Sequence, residues 1–115
     1  MIKVTKNAAE EIRLSTQNPD VQGLLIRFAV EKTDKGFHYL MGFDERSEGD
    51  IHLESNGIEY VLAYSQKSLL EGMVVDFDEI DKESGYGFIF MNPNDPKYEP
   101  PKEDFAPKQK KDESS

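Results

Sequence analysis

Cysteine is absent from all 115 residues of this chain. Disulfides and cysteine-type zinc sites are thereby excluded, and so is the thiolate that iron in sulfide clusters takes as its usual ligand. The absence fits a cytoplasmic protein better than a small secreted one, because secreted domains of this size lean on disulfide staples. Positive charge is scarce as well: 14 Lys and Arg stand against 23 Asp and Glu, for a formal net charge of -9. Nucleic acids and anionic membranes are poor partners for such a surface, since affinity for them comes from cationic side chains displacing counterions. Solvated acidic loops, or a basic protein partner, remain. No apolar run is long enough to cross a bilayer. Met1-Ile2-Lys3-Val4 leads into Asn7-Ala8-Ala9-Glu10 without an apolar leader segment, so no signal or transit peptide is expected.

What is there reads as one domain with a tail. Residues 1–98 alternate apolar and polar segments, whereas four of the six prolines and a mixed charge run fall from Asp95 onward. The composition of residues 99–115 cannot repay the entropy of ordering, which predicts a disordered Pro-rich and charged tail. Tyr98 among Pro96, Pro100 and Pro101 reads as an extended docking segment, for a partner or, in preference, for the protein's own body. In the body, Ile2 and Val4 open a short strand. Thr5 or Asn7 is the expected N-cap of a helix, Asn7 having Glu10 at capping-box spacing, and that helix should stop near Asn18-Pro19.

Residues 23–30 and 37–43 are rich in β-formers across a polar turn at Thr33-Asp34-Lys35-Gly36, which predicts a hairpin. A second hairpin pairs residues 51–54 with 58–62 through Asn56-Gly57, the favoured pair for a type I′ turn. Ser65 is the expected cap of a short helix that ends at Gly72, and two further strands cover residues 73–80 and 86–91. Tyr86, Phe88 and Phe90 alternate along the last strand as core, while Met41, Phe43 and Met91 read as exposed apolar contacts. Strands with few helices to cover them indicate an α+β domain of mostly antiparallel or mixed sheet.

No phosphate-binding glycine loop, no Gly-x-Ser-x-Gly elbow and no His-Glu-x-x-His motif occurs, so the chain is not expected to be an enzyme. The acidic run Asp76, Asp78, Glu79, Asp81, Glu83 lacks the spacing of a calcium loop and fits the solvent side of a sheet. His38 and His52 are lone strand histidines, expected to be half-buried and structural.

Several features, weak singly, agree in order and spacing. They are Ile26-Arg27-Phe28-Ala29-Val30, the Gly-x-x-Tyr from Gly36 to Tyr39, Asn56-Gly57-Ile58, Ser68-Leu69-Leu70-Glu71-Gly72, and the Gly-Phe-x-Phe-x-Asn-Pro-Asn close that ends at Asn94. Through them the chain resembles the A-type iron-sulfur carrier family (HesB-like, IscA/SufA-like). The resemblance implies that family's fold of two short, mostly antiparallel or mixed β-sheets with small helices, and its dimers or larger assemblies. The family holds iron or a cluster on three cysteines, whose positions fall here at Asp34, Glu99 and Pro101. Tyr39-x-Met41-Gly42-Phe43-Asp44-Glu45 and the segment from Asn92 to Pro101 resemble more narrowly a cysteine-less branch, the DsrR-like proteins of dissimilatory sulfur oxidation.

This implies an accessory or regulatory protein of iron-sulfur or sulfur metabolism that binds a protein partner, with no cofactor of its own. The alternative is an assembly protein holding iron weakly on oxygen and nitrogen, for which Asp34, His38 and Glu99 are the metal candidates.

Overall fold

The β-rich stretch after the first helix folds as the expected hairpin, β2 (Leu25–Thr33) against β3 (Gly36–Asp44), antiparallel with Thr33 opposite Gly36. The computed structural model describes residues 1–98. Before the hairpin come β1 (Lys3–Val4) and α1 (Lys6–Ser15); after it come β4 (Asp50–Ser55), β5 (Ile58–Ala63), α2 (Lys67–Leu70), β6 (Val74–Asp81) and β7 (Gly85–Met91). They form two mixed sheets, β3-β2-β5-β4 and β1-β6-β7, in which β2–β5 and β1–β6 are the parallel pairs. Asn56 at φ 50° and Gly57 at φ 81° give the β4–β5 turn its two left-handed residues, as an Asn-Gly pair permits.

Helix α1 begins at Thr5, whose hydroxyl accepts from Ala8 N and donates to Asp76 Oδ1 at 2.6 Å. The cap is therefore Thr5, not Asn7, and it is braced by β6. The helix ends at Ser15, ahead of the expected stop, because Asn18 is used to cap a separate 3-10 turn at Pro19–Val21. The second short helix carries no serine cap: Gln66 precedes it without a side-chain cap bond, and its amide oxygen instead accepts from Val30 N at 2.6 Å.

Burying Ala8, Ala9 and Ile12 on one face lets α1 approach the sheets closely. Beneath it lie Ile26, Phe28, Tyr60, Leu62, Leu70, Met73 and Val75, all buried. Tyr60 meets Phe28 edge to face with centroids 5.5 Å apart. Its hydroxyl also serves Ile2, accepting from the amide and donating to the carbonyl, which ties the N-terminal strand to the four-stranded sheet.

The last strand departs from expectation. Phe88 and Phe90 are half-buried against the core, but Tyr86 is 66% exposed, because it lies near the turn end of the β6–β7 hairpin. Met41, Phe43 and Met91 are half-buried rather than exposed; Met41 and Phe43 pack on the core from the edge strand. Asp76 and Asp78 are half-buried and exposed respectively.

Candidate functional site: the β2–β3 turn and its clasp

Asp34 sits at the tip of the first hairpin, exposed, in a turn that Thr33 closes by donating to Gly36 O at 2.6 Å and accepting from Lys35 N. Gly36 takes φ 110°, a conformation side chains rarely adopt. The C-terminal segment lies directly against it: an added Cβ would come within 2.7 Å of Lys97 Cγ and 3.1 Å of Asp95 Oδ1. Asp95 is the clasp. Its carboxylate accepts from Phe37 N at 3.3 Å, from the Tyr39 hydroxyl at 2.7 Å and from Lys97 N at 2.9 Å. Burial pulls that carboxyl upward, but the three donors outweigh it and hold it below the ordinary carboxylate value. Burial and then the bond to Asp95 push the Tyr39 phenol up, so it stays protonated and donating. The Tyr39 ring stacks on Phe90 at 5.2 Å, which joins the hairpin to the second sheet.

Asn92 anchors the clasp from behind. It is 1% exposed, donates to Leu69 O at 2.8 Å and accepts from Asn94 N at 2.9 Å, while Asn94 donates to Glu71 O. The Asn-Pro-Asn close thus satisfies carbonyls left open at the end of α2. Tyr98 is half-buried, with its amide donating to Asp95 O.

The structure therefore brings the Asp34 turn together with the segment that leads toward Glu99. Glu99 and Pro101 lie outside the described residues, as does the expected tail. His38 is exposed and pairs across the ladder with Glu31, contrary to the half-buried expectation, because side chains at its parity face outward on β3. His52 is half-buried, with Nε2 2.9 Å from Glu59 Oε1. Among the described residues no group of three or more His, Asp or Glu side chains is placed to hold a metal ion.

Sequence reasoning missed a charge cluster at the other end of the same hairpin. Arg27 donates through Nε to Asp44 Oδ2 at 2.9 Å and through both terminal nitrogens to Asp50. Asp50 also accepts from Ser47 N. Its side chain is 4% exposed, shielded by these partners rather than by depth. The Arg27 bonds, then the Ser47 amide, lower its carboxyl to about 2. A depressed folded-state value means that its contribution is complete above the unfolded value of about 4 and is lost as pH falls toward 2. Asp50→Asn will accordingly lower the urea midpoint at pH 7, and the difference from the unmodified chain will shrink below about pH 4 and continue to fall as pH passes through about 2.

A family model for iron-sulphur cluster biosynthesis matches residues 1–95. The chain belongs to that family. It is 30% identical over 95 residues to the iron-sulfur cluster insertion protein ErpA of Yersinia enterocolitica, an alignment covering 81% of this chain and 82% of that protein. Its fold is similar to that of IscA with a [2Fe-2S] cluster, with TM-score 0.67, 28% identity and coverage of 81% of this chain and 86% of the other. It is likewise similar to Escherichia coli SufA, with TM-score 0.65, 26% identity and coverage of 80% of each chain. Within this iron-sulphur family the chain's donor set does not fit a thiolate-held cluster: none of its residues is a cysteine, and the turn offers the carboxylate of Asp34. A carboxylate oxygen is a hard donor and a poor mimic of the covalent thiolate.

Among the described residues no helix is long and apolar enough to cross a membrane.

Proposed function

We propose that this member of the iron-sulphur cluster biosynthesis family carries no cluster and works by protein contact, as an accessory or regulatory module of iron-sulfur or sulfur metabolism. The observation that supports this is the clasp: Asp95, Tyr39 and Gly36 hold the Asp34 turn in a defined shape, although that turn offers no thiolate. In this reading the protein acts in the cytoplasm, binds protein rather than nucleic acid or membrane, pairs as a homodimer, and catalyses no reaction.

Anaerobic reconstitution with iron and sulfide is the test. The unmodified chain is expected to retain iron and sulfide only at the level of a non-specific control protein, without charge-transfer absorption. The triple variant Asp34→Cys, Glu99→Cys, Pro101→Cys is expected to gain cluster absorption, because thiolates then occupy all three family positions on the same frame. Stoichiometric iron on the unmodified chain would overturn the proposal in favour of oxygen and nitrogen ligation by Asp34, His38 and Glu99.

A further inference from the structure

Between α1 and the β6–β7 hairpin runs an open groove of about 370 Å³ that no part of the clasp touches. Its apolar lining is Leu14, Phe77 and Tyr86; Leu14 is 61% exposed and Tyr86 66% exposed, and the Phe77 and Tyr86 rings lie 6.1 Å apart. Around these sit Glu10, Glu11 and Asp78. No Lys or Arg lines the groove, and among the described residues none of the three carboxylates takes part in an ion pair. Leu14 and the two glutamates share one side of α1, apart from the face formed by Ala8, Ala9 and Ile12 that enters the core. They are therefore free to meet a ligand without disturbing the helix.

We propose that this groove docks a lysine- or arginine-rich segment of a partner protein that also carries large aliphatic or aromatic side chains. The apolar lining rewards a large side chain that leaves water, and the carboxylates select a cationic backbone of charge around it. Other occupants match less well. A second copy of the chain brings a net charge of -9 to the same acidic surface. The chain's own residues 99–115 hold four lysines against five carboxylates, so they bring no net attraction. The inference deepens the protein-contact reading above by naming the partner's chemistry. The two tests separate, since cluster reconstitution reads the Asp34 turn and peptide binding reads the opposite side of α1.

The probe is a fluorescein-labelled peptide of three Leu-Lys-Lys-Leu repeats, titrated into the full-length chain at low and at physiological salt. We expect saturable binding that weakens with salt, with backbone NMR shifts concentrated at Leu14, Phe77 and Tyr86. The isosteric triple variant Glu10→Gln, Glu11→Gln, Asp78→Asn should bind about tenfold more weakly, the sum expected of three rim charges. An oligolysine of equal charge should bind more weakly than the Leu-Lys peptide. Equal binding by the triple variant, equal binding by oligolysine, or shifts confined to other surfaces would overturn the proposal. A spin label on Ser115→Cys that broadens Leu14 without peptide would make the tail the occupant, and concentration-dependent shifts at Leu14, Phe77 and Tyr86 without peptide would make it a second copy; either overturns it as well.

Discussion

Phe28→Ala will cost the fold about 3–5 kcal/mol, the range for deleting a fully buried aromatic side chain. Phe28 has no exposed surface and lies on the inner face of β2, with the Tyr60 ring packed edge-on against it. Its removal opens a cavity in the buried cluster shared by the two sheets, and it loosens Tyr60, whose hydroxyl holds both the amide and the carbonyl of Ile2. Two losses then coincide: the transfer and cavity terms of the missing ring, and a weakened hold on β1, the strand that begins the other sheet. At about 4–8 °C per kcal/mol for a domain near this size, Tm should fall by roughly 15 °C or more. Urea unfolding should move the midpoint without changing the slope. A loss under about 1 kcal/mol would mean that the interior between the sheets is far looser than its burial states.

The hairpins were legible in the sequence because their signals are local. Asn56-Gly57 can satisfy two successive left-handed positions within two residues, and Gly72 at φ 81° ends α2 for the same reason. The pairing of residues 25–33 with 36–44 needed only β-formers on either side of a polar turn. Tertiary partners were not legible in this way. Arg27 finds Asp44 and Asp50 at separations of 17 and 23 residues, which no local pattern encodes and only strand register delivers. Tyr86 alternates correctly with Phe88 and Phe90, yet it is exposed, because the period fixes the face and not how far the core extends along it. The motif around Asn92 and Asp95 was visible as a family likeness, but its physical work is the bonds to Leu69, Phe37 and Tyr39, partners 23, 58 and 56 residues away that only the folded chain brings together. One signal was available and unused: Leu14 stands seven residues after Asn7 on the side of α1 that carries Glu10 and Glu11, an apolar residue outside the buried face.

Gly36→Ala will destabilise the chain by about 2–3 kcal/mol, through a left-handed backbone and a steric conflict together. At φ 110° an alanine is strained wherever it has room, and here it also lacks room, with Lys97 Cγ 2.7 Å from the new Cβ. The two causes can be separated. Lys97→Ala removes the clashing Cγ and leaves Lys97 Cβ, which stands 3.5 Å away, an ordinary contact. In that background Gly36→Ala should keep the backbone strain, roughly 1–2 kcal/mol, together with the tight approach to Asp95 Oδ1 at 3.1 Å, while the part due to Lys97 appears as coupling in a double-mutant cycle. The single variant should also loosen the clasp. Asp95 must move off the Phe37 amide and the Tyr39 hydroxyl, so the Phe37 amide will lose protection from hydrogen exchange while the Ile26 amide, inside the sheet, keeps it. If the Asp34 turn keeps its shape because the C-terminal segment presses on Gly36, the triple cysteine chain built on Gly36→Ala will take up less cluster than the same triple with glycine retained. Equal uptake would mean that the hairpin holds the turn alone and that the clasp serves stability only.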